Sequence, residues 1–524
     1  MAERKEEQVM KRYVVAADDV IATIVISMKS EDYVPHYTLS FDKLQPGTAA
    51  VLKAIREEIV RTVDITPSEL LDPKMAQLVK EKFVQRSRET LASRMPTLDE
   101  TTRRSLAGSL VHEMFGLGDI ELLIRDDDLE EIVINASDEP MWVYHKEFGW
   151  LVTNLKLQGE EDIQNYASIV GRRVGRQIST LNPLLDAHLV TGDRVNATLF
   201  PISTKGNTLT IRKFARNPWT ITHFIDPSSR TLSVDLAAFL WTCIQYELNI
   251  IIAGGTASGK TSFLNALAPF VQTNHRIVSI EDTRELQLPR FAHWVPLTTR
   301  EPNPEGRGEV SMLDLMINSL RMRPDRILVG EVRRQAQAEV MFEAMHTGHS
   351  VYSTLHADNV DEMRSRLINP PINIPESQLE ALHLAVVQFR HRRLGIRRTF
   401  QVAEIVPTAH IGEKREVHLN MLYRWNPSTD AVEKANSSIR TNGEISAYTG
   451  MTTKEIADEV KEKAQLLQWM LDNNIKTVNT VGKVVADYYR NKSETMEYAK
   501  RNAKPRDIFS EDLLVELRAR GYMK

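Results

Sequence analysis

The sequence predicts an α/β fold in its second half, preceded by an α+β region, on three observations. From residue 219 onward apolar strands alternate with helical stretches, the pattern of a parallel sheet with crossover helices. Within it the apolar run Leu248 to Ala253 enters a glycine-rich turn and then a helix. Between about 100 and 217 the pattern is instead one of short strands broken by acidic and glycine turns.

Composition narrows the field. The 524 residues carry 66 basic and 70 acidic side chains, a net charge of −4, with 42 % hydrophobic and 26 % charged residues. That length suggests two to four domains at about 150 residues each. The balance excludes a collagen, a coiled-coil rod and a wholly disordered chain. No apolar run approaches the ~18 residues that cross a bilayer, and the start, MAERKEEQVMKRY, lacks the apolar core of a secretory signal. Cys243 is the single cysteine, so an intrachain disulfide and a CxxC-type zinc site are both excluded. In the run AAFLWTCI it reads as a small buried hydrophobe, and an intracellular protein is expected. Near-neutral charge gives no reason to expect wholesale nucleic-acid binding.

Residues 1–95 read as an accessory module. It holds an apolar β-rich run, DDVIATIVISM, and two helical stretches, TAAVLKAIREEIVRTV and MAQLVKEKFVQRSRETLASR. In the first helix Val51, Leu52, Ile55, Ile59 and Val63 recur at helical spacing. Residues 96–217 read as an α+β domain with a helix near EEDIQNYASIVGRRVGRQ and a hairpin turning at Lys205-Gly206-Asn207. Pro218 disfavours helix at Asn217 and cannot continue a strand ladder, which places a linker there. Residues 218–524 form the third region, with a helical tail. In that tail Thr452 and Glu455 make a capping box, and a last short helix runs from Ser510 to Gly521.

The most informative segment is LNIIIAGGTASGKTSFLNAL. Gly254, Gly255, Thr256, Ala257, Ser258, Gly259, Lys260 and Thr261 match GxxxxGK[ST] without a gap, and Ser262 follows inside the helix. A triphosphate needs backbone N–H donors aimed inward from a tight turn, which the glycines allow. The helix start adds positive potential. Lys260 can reach the β- and γ-phosphates, and the Thr261 hydroxyl is positioned for Mg²⁺. ATP or GTP is the expected ligand; the alternative is a glycine-rich turn that binds nothing.

Hydrolysis also needs carboxylates. HRIVSIEDTRELQL ends a strand with Glu281 and Asp282, and Glu285 follows one turn on. RPDRILVGEVRR ends another with Gly330-Glu331. Ligands of open parallel sheets bind outside the carboxyl ends of the strands, where these acids fall. Glu331 occupies the place of a metal-holding acid, and Glu281 is the better candidate for polarising the attacking water. GHSVYSTLHAD delivers Thr354, His356 and Asp358 to the same edge, with His356 as a phosphate or water sensor. His346, His349 and His356 lack the spacing of a metal site.

Taken in order, these motifs resemble the secretion ATPases of type II secretion, type IV pili and the archaellum, over roughly residues 110 to 490. The Walker A loop GGTASGKT, the aspartate box SIEDTREL, the Walker B segment PDRILVGE and the histidine box GHSVYSTLH all match. The strings EPNPEGRGEVSMLDLMINSLRMRPD and FEAMHTGHSVYSTLHADN are most similar to the archaellum motor branch. The resemblance implies a RecA-like P-loop ATPase domain with an α+β N-terminal domain of the secretion ATPase type. It implies a homohexamer that hydrolyses ATP with Mg²⁺ and assembles or rotates a pilin-like filament. An integral-membrane platform protein and accessory cytoplasmic proteins would be its partners, placing it in the cytoplasm at the inner face of the membrane. By the same likeness Arg194 and Arg212 complete the nucleotide site from the N-terminal domain. Arg321, Arg323, Arg333 and Arg334 are further candidates.

FRHRRLGIRRTF places Arg390, Arg392, Arg393, Arg397 and Arg398 between apolar strands. No aromatic platform accompanies them, so a solvated hairpin is preferred over a nucleic-acid or lipid contact. Beside the motor, a nucleic-acid translocase and a nucleotide-switched scaffold remain as other classes. An archaeal adhesion pilus or a type II-like secretion system remains as the alternative machine.

Overall fold

The computed structural model describes residues 7–40, 46–62, 73–115, 117–189, 192–214, 217–302, 306–408 and 416–523. The chain divides into two compact units, Met1–Arg216 and Asn217–Lys524.

The first unit is built on a nine-stranded sheet. Its strands are β1 (Glu7–Ala17), β2 (Val20–Lys29), β3 (His36–Ser40), β4 (Leu129–Ile134), β5 (Trp142–His145), β6 (Gly149–Thr153), β7 (Leu184–His188), β8 (Arg194–Thr198) and β9 (Thr208–Arg212), in the order β1-β2-β3-β6-β5-β4-β9-β8-β7. In β2 alternate residues Val20, Ala22, Ile24 and Ile26 are buried, as a half-covered sheet requires. Asp18 and Asp19 join β1 to β2 with φ of 46° and 69°, the paired positive values of a tight hairpin turn.

The expected separation of residues 1–95 from 96–217 does not appear as a break in this sheet. β3 pairs parallel with β6, His36 beside Val152 and Tyr37 beside Thr153. The buried Asp126 carboxylate accepts from the Tyr13 hydroxyl at 2.6 Å and the Tyr37 hydroxyl at 2.7 Å, tying β1 and β3 to the turn before β4. Residues 100–115 form a helix rather than strands, because Leu106, Ala107, Leu110 and Val111 share one buried face. Gly108 lets that helix reach the β1–β2 turn, since a Cβ there would stand 2.0 Å from the Asp18 carbonyl oxygen.

The second unit has a sheet of β10 (Ile250–Gly254), β11 (Ile277–Glu281), β12 (Trp294–Thr298), β13 (Arg326–Val329), β14 (Ser350–Leu355), β15 (Leu384–His391), β16 (Ile396–Pro407), β17 (Val417–Asn426) and β18 (Ala431–Lys434). Their order is β12-β11-β13-β14-β10-β15-β16-β17-β18. β12 through β15 are mutually parallel, and β15 to β18 continue antiparallel. Two strands, β13 and β14, stand between consecutive β10 and β11, the RecA-like arrangement. Both faces are covered: Ile250 and Ile252 enter one core while Ile251 and Ala253 enter the other. This two-sided burial explains the uninterrupted apolar runs.

The tail helix Thr453–Asp472 starts at the Thr452–Glu455 capping box and packs on helix Val234–Gln245. Between them Lys463 is fully buried, 2.9 Å from Glu459 and 3.0 Å from the Thr242 hydroxyl, with its ammonium over the rings of Trp241, Tyr246 and Tyr488. Burial pulls its pKa down to about 8, against the pull of Glu459. Lys463 therefore opposes folding below pH 8 and ceases to do so as the pH climbs past its unfolded value. Glu459→Gln, which strands the buried ammonium, is expected to cost about 3–5 kcal/mol. The double change Glu459→Leu with Lys463→Met should restore most of it. Urea unfolding followed by tryptophan fluorescence reads both; an unchanged midpoint for Glu459→Gln would contradict this account.

Candidate functional site

β10 carries the chain into the core and releases it at Gly254. There φ is +155°, and a Cβ would stand 2.4 Å from both the Gln388 carbonyl oxygen and the Ser258 hydroxyl. Ala257 and Gly259 also take left-handed φ values, 58° and 93°. Only this contour closes the loop so that Gly259 caps helix Lys260–Leu267. Thr256, Ala257 and Ser262 are exposed, Gly255, Lys260 and Thr261 half-buried, and Ser258 buried. The Lys260 ammonium donates to the carbonyls of Gly254 at 2.8 Å and Gly255 at 3.1 Å. Burial lowers its pKa, while the carboxylates of Glu331, Asp358 and Glu285 act to raise it. Asp358 comes close enough that a Cβ on Gly255 would stand 2.7 Å from it.

Glu281 ends β11 and is 2 % exposed. One carboxylate oxygen, Oε1, accepts the backbone N–H groups of Glu285 at 2.8 Å and Leu286 at 2.9 Å. The other, Oε2, is buried with no hydrogen-bond partner. Burial pushes the group up to about 7, held back by those two N–H donors. Such a carboxyl takes and gives a proton near neutrality.

The neighbouring strand ends are tied together. Gly330 N–H donates to the Ile280 carbonyl at 2.8 Å, Val332 N–H to the Thr354 carbonyl at 3.1 Å, and the Thr354 hydroxyl to the Gly330 carbonyl. Arg333 binds Glu331 through Nε at 2.8 Å and Nη2 at 2.6 Å, and Asp282 through Nη1 at 3.2 Å. Among the four arginines that sequence could not rank, Arg333 is thus the one joined to these acids. His356 follows β14 and is half-buried; beyond it the Asp358 N–H, donating at 2.7 Å, and then Arg366 hold Glu362 below the usual carboxylate range.

In the first unit Arg194 and Arg212 are directly opposite each other on β8 and β9. Arg194 makes a two-point contact with Asp186, at 3.1 and 2.5 Å. Sequence reasoning missed Arg397 as a site residue: its Nε donates to the Ala257 carbonyl at 3.2 Å. The basic cluster was its only signal. Arg398, by contrast, is spent on Asp430 and the Ser229 carbonyl.

The sequence matches the model of the type II/IV secretion system protein family over residues 179–456. The chain belongs to the type II/IV secretion system protein family. It is 36 % identical over 395 residues to an uncharacterised protein of Methanocaldococcus jannaschii, spanning 74 % of this chain and 70 % of the relative. The type IV secretion system protein PtlH of Bordetella pertussis is 32 % identical over 275 residues, 48 % of this chain and 79 % of that one. Among solved structures, the VirB11 ATPase of the Brucella suis type IV secretion system aligns at 24 % identity. It covers 53 % of this chain and 89 % of that one, with a TM-score of 0.28. The family match runs through every strand-end residue of the site in the second unit, from Gly254 to Asp358.

Proposed function

We propose that this type II/IV secretion system protein is an ATP-hydrolysing motor. The observation that supports this most is the loop itself: Gly254, Ala257 and Gly259 at positive φ lead into helix Lys260–Leu267, Lys260 rests on the Gly254 and Gly255 carbonyls, and Asp358 stands beside Gly255. In this reading the loop N–H groups from Gly255 to Thr261 hold the phosphates. Lys260 exchanges the Gly254 and Gly255 carbonyls for β- and γ-phosphate oxygens. The Glu281 Oε2 atom accepts a proton from the attacking water; the new bond forms to the γ-phosphorus as the bond to the ADP oxygen breaks. His356 senses the γ-phosphate or its water network.

Among the described residues no group of three or more His, Cys, Asp or Glu side chains is placed to hold a metal unaided. Mg²⁺ accepts such a sparse donor set, because phosphate oxygens and waters fill most of its positions. Thr261 and Glu331 would hold it, and it would neutralise charge on the phosphates. Arg333 would then have to yield Glu331, so Arg333 acts as a placeholder cation.

Arg194 and Arg212 complete the assignment as arginines delivered to the phosphates by the 96–217 domain in a homohexamer. The working partners are an integral-membrane platform and accessory cytoplasmic proteins, with the chain cytoplasmic and peripheral to the membrane. Among the described residues no helix is long and apolar enough to cross a membrane. For cargo, assembly or rotation of an archaellum-like pilin filament is the first reading. The family and the PtlH relative favour a second, substrate export by a secretion system.

The test is Glu331→Gln. Nucleotide binding should persist while steady-state phosphate release falls by about 10²–10³-fold. Arg194→Ala and Arg212→Ala should each lower turnover while retaining binding. A Glu331→Gln protein that hydrolyses at the parent rate removes Glu331 from the mechanism.

A further inference from the structure

β15 is the parallel neighbour of β10, with Gln388 beside Gly254. Its next residues continue past the end of β10, alongside the glycine-rich loop. The antiparallel return of β16 sets Arg397 directly opposite Arg390. At this point Arg397 Nε donates to the Ala257 carbonyl, and Arg397 Cδ lies 3.8 Å from the position a Cβ on Gly259 would take.

Three physical facts bear on this corner. A guanidinium bonded through Nε keeps both terminal nitrogens, four N–H donors, for another acceptor. Arg390, in register opposite Arg397, belongs to the same end of the β15–β16 ladder. Helix Lys260–Leu267 also begins here, so its positive end faces the same space. A phosphate that enters this corner meets the terminal nitrogens of Arg397 and the helix start together. A hydrogen bond to a loop carbonyl, rather than to an acid, fixes the Arg397 stem without consuming its charge.

We propose that Arg397, with Arg390 behind it, is a further nucleotide-contacting residue, supplied by the same unit as the loop, that grips the diphosphate portion of a nucleoside di- or triphosphate. The inference rests on the nucleotide reading of the Gly254–Thr261 loop. The contact is to the α- and β-phosphates, because Arg397 stands at Ala257 and Gly259, on the β15 side of β10. Glu281 and Glu331, which face the γ-phosphoryl group in the proposed mechanism, end β11 and β13 on the opposite side of β10. The arginine therefore contributes to retention of ADP as much as to capture of ATP. It differs in this from Arg194 and Arg212, whose proposed contact depends on another domain.

The experiment titrates the full-length protein with fluorescent N-methylanthraniloyl ADP and ATP in the presence of Mg²⁺. Parent, Lys260→Ala, Arg397→Ala, Arg397→Lys and Arg390→Ala are compared, and the nucleotide-free melting temperature of each is recorded. Arg397→Ala is expected to weaken ADP and ATP by the same factor, about 10-fold or more. Arg397→Lys should recover part of the loss, Arg390→Ala should give a smaller loss, and the nucleotide-free melting temperature should stay at the parent value. Parent-like affinity in Arg397→Ala, with binding lost in Lys260→Ala, overturns the inference and leaves the loop reading standing. A loss confined to ATP, or a lowered melting temperature with unchanged affinity, also overturns it. If the parent protein binds neither nucleotide, the loop reading falls first and this inference with it.

Discussion

Lys260→Ala is expected to reduce ATP turnover by at least about 10²–10³-fold, the typical loss when one fixed donor to a developing oxyanion is removed. The structure makes the reason specific. The Lys260 ammonium is half-buried, and burial already lowers its hold on its proton. The carboxylates of Glu331, Asp358 and Glu285 act against that lowering, and Arg333 acts with it. In the nucleotide-free protein the ammonium rests on the Gly254 and Gly255 carbonyls, so moving to phosphate oxygens exchanges neutral acceptors for charged ones. An alanine leaves the loop backbone intact, since Gly254, Ala257 and Gly259 set its path. Phosphate release and equilibrium binding, measured together, should both fall. Parent-like turnover would dismiss the loop as the reaction site.

Glu281→Gln is expected to cost about 10²–10⁴-fold in turnover, the range for losing a positioned general base. The parent profile should rise with pH through about 7 and then level, because the base acts when ionised. The glutamine variant should lose that limb along with most of its rate. Stability moves the other way. A carboxyl whose folded pKa stands above its unfolded value destabilises the fold progressively as pH rises from about 4.5 to 7. The penalty is of order 3 kcal/mol above pH 7. Glu281→Gln should therefore melt at or above the parent temperature at pH 8. A variant that is both inactive and much less stable at that pH would make Glu281 a structural residue instead.

Much of this site was legible because its signals are local. A strand, a gapless glycine loop and a helix occupy consecutive residues, and the acids at or just past the ends of β11 and β13 are read off the strand pattern. Arg333 was visible two residues from Glu331, but its two-point grip depends on side-chain geometry that spacing does not encode. Arg397 reads as one charge among several in a hairpin. Its place at Ala257 follows from the β15–β16 register and from β15 lying beside β10, both long-range facts. The same limit explains the N-terminal region. His36 and Tyr37 pair with Val152 and Thr153, more than a hundred residues away, so a boundary near residue 95 looked natural in sequence alone. Lys463, an ordinary charge on an amphipathic helix by pattern, is buried only because aromatic residues of the helices at 234–245 and 478–490 close over it.

The most direct measurement is a crystal structure of Glu331→Gln protein grown with Mg²⁺ and ATP. It should contain an intact triphosphate against the N–H groups of Gly255 to Thr261, with the Lys260 ammonium moved off the Gly254 and Gly255 carbonyls. Nucleotide bound elsewhere on the chain, with Lys260 still on those two carbonyls at saturating ATP, would contradict the account.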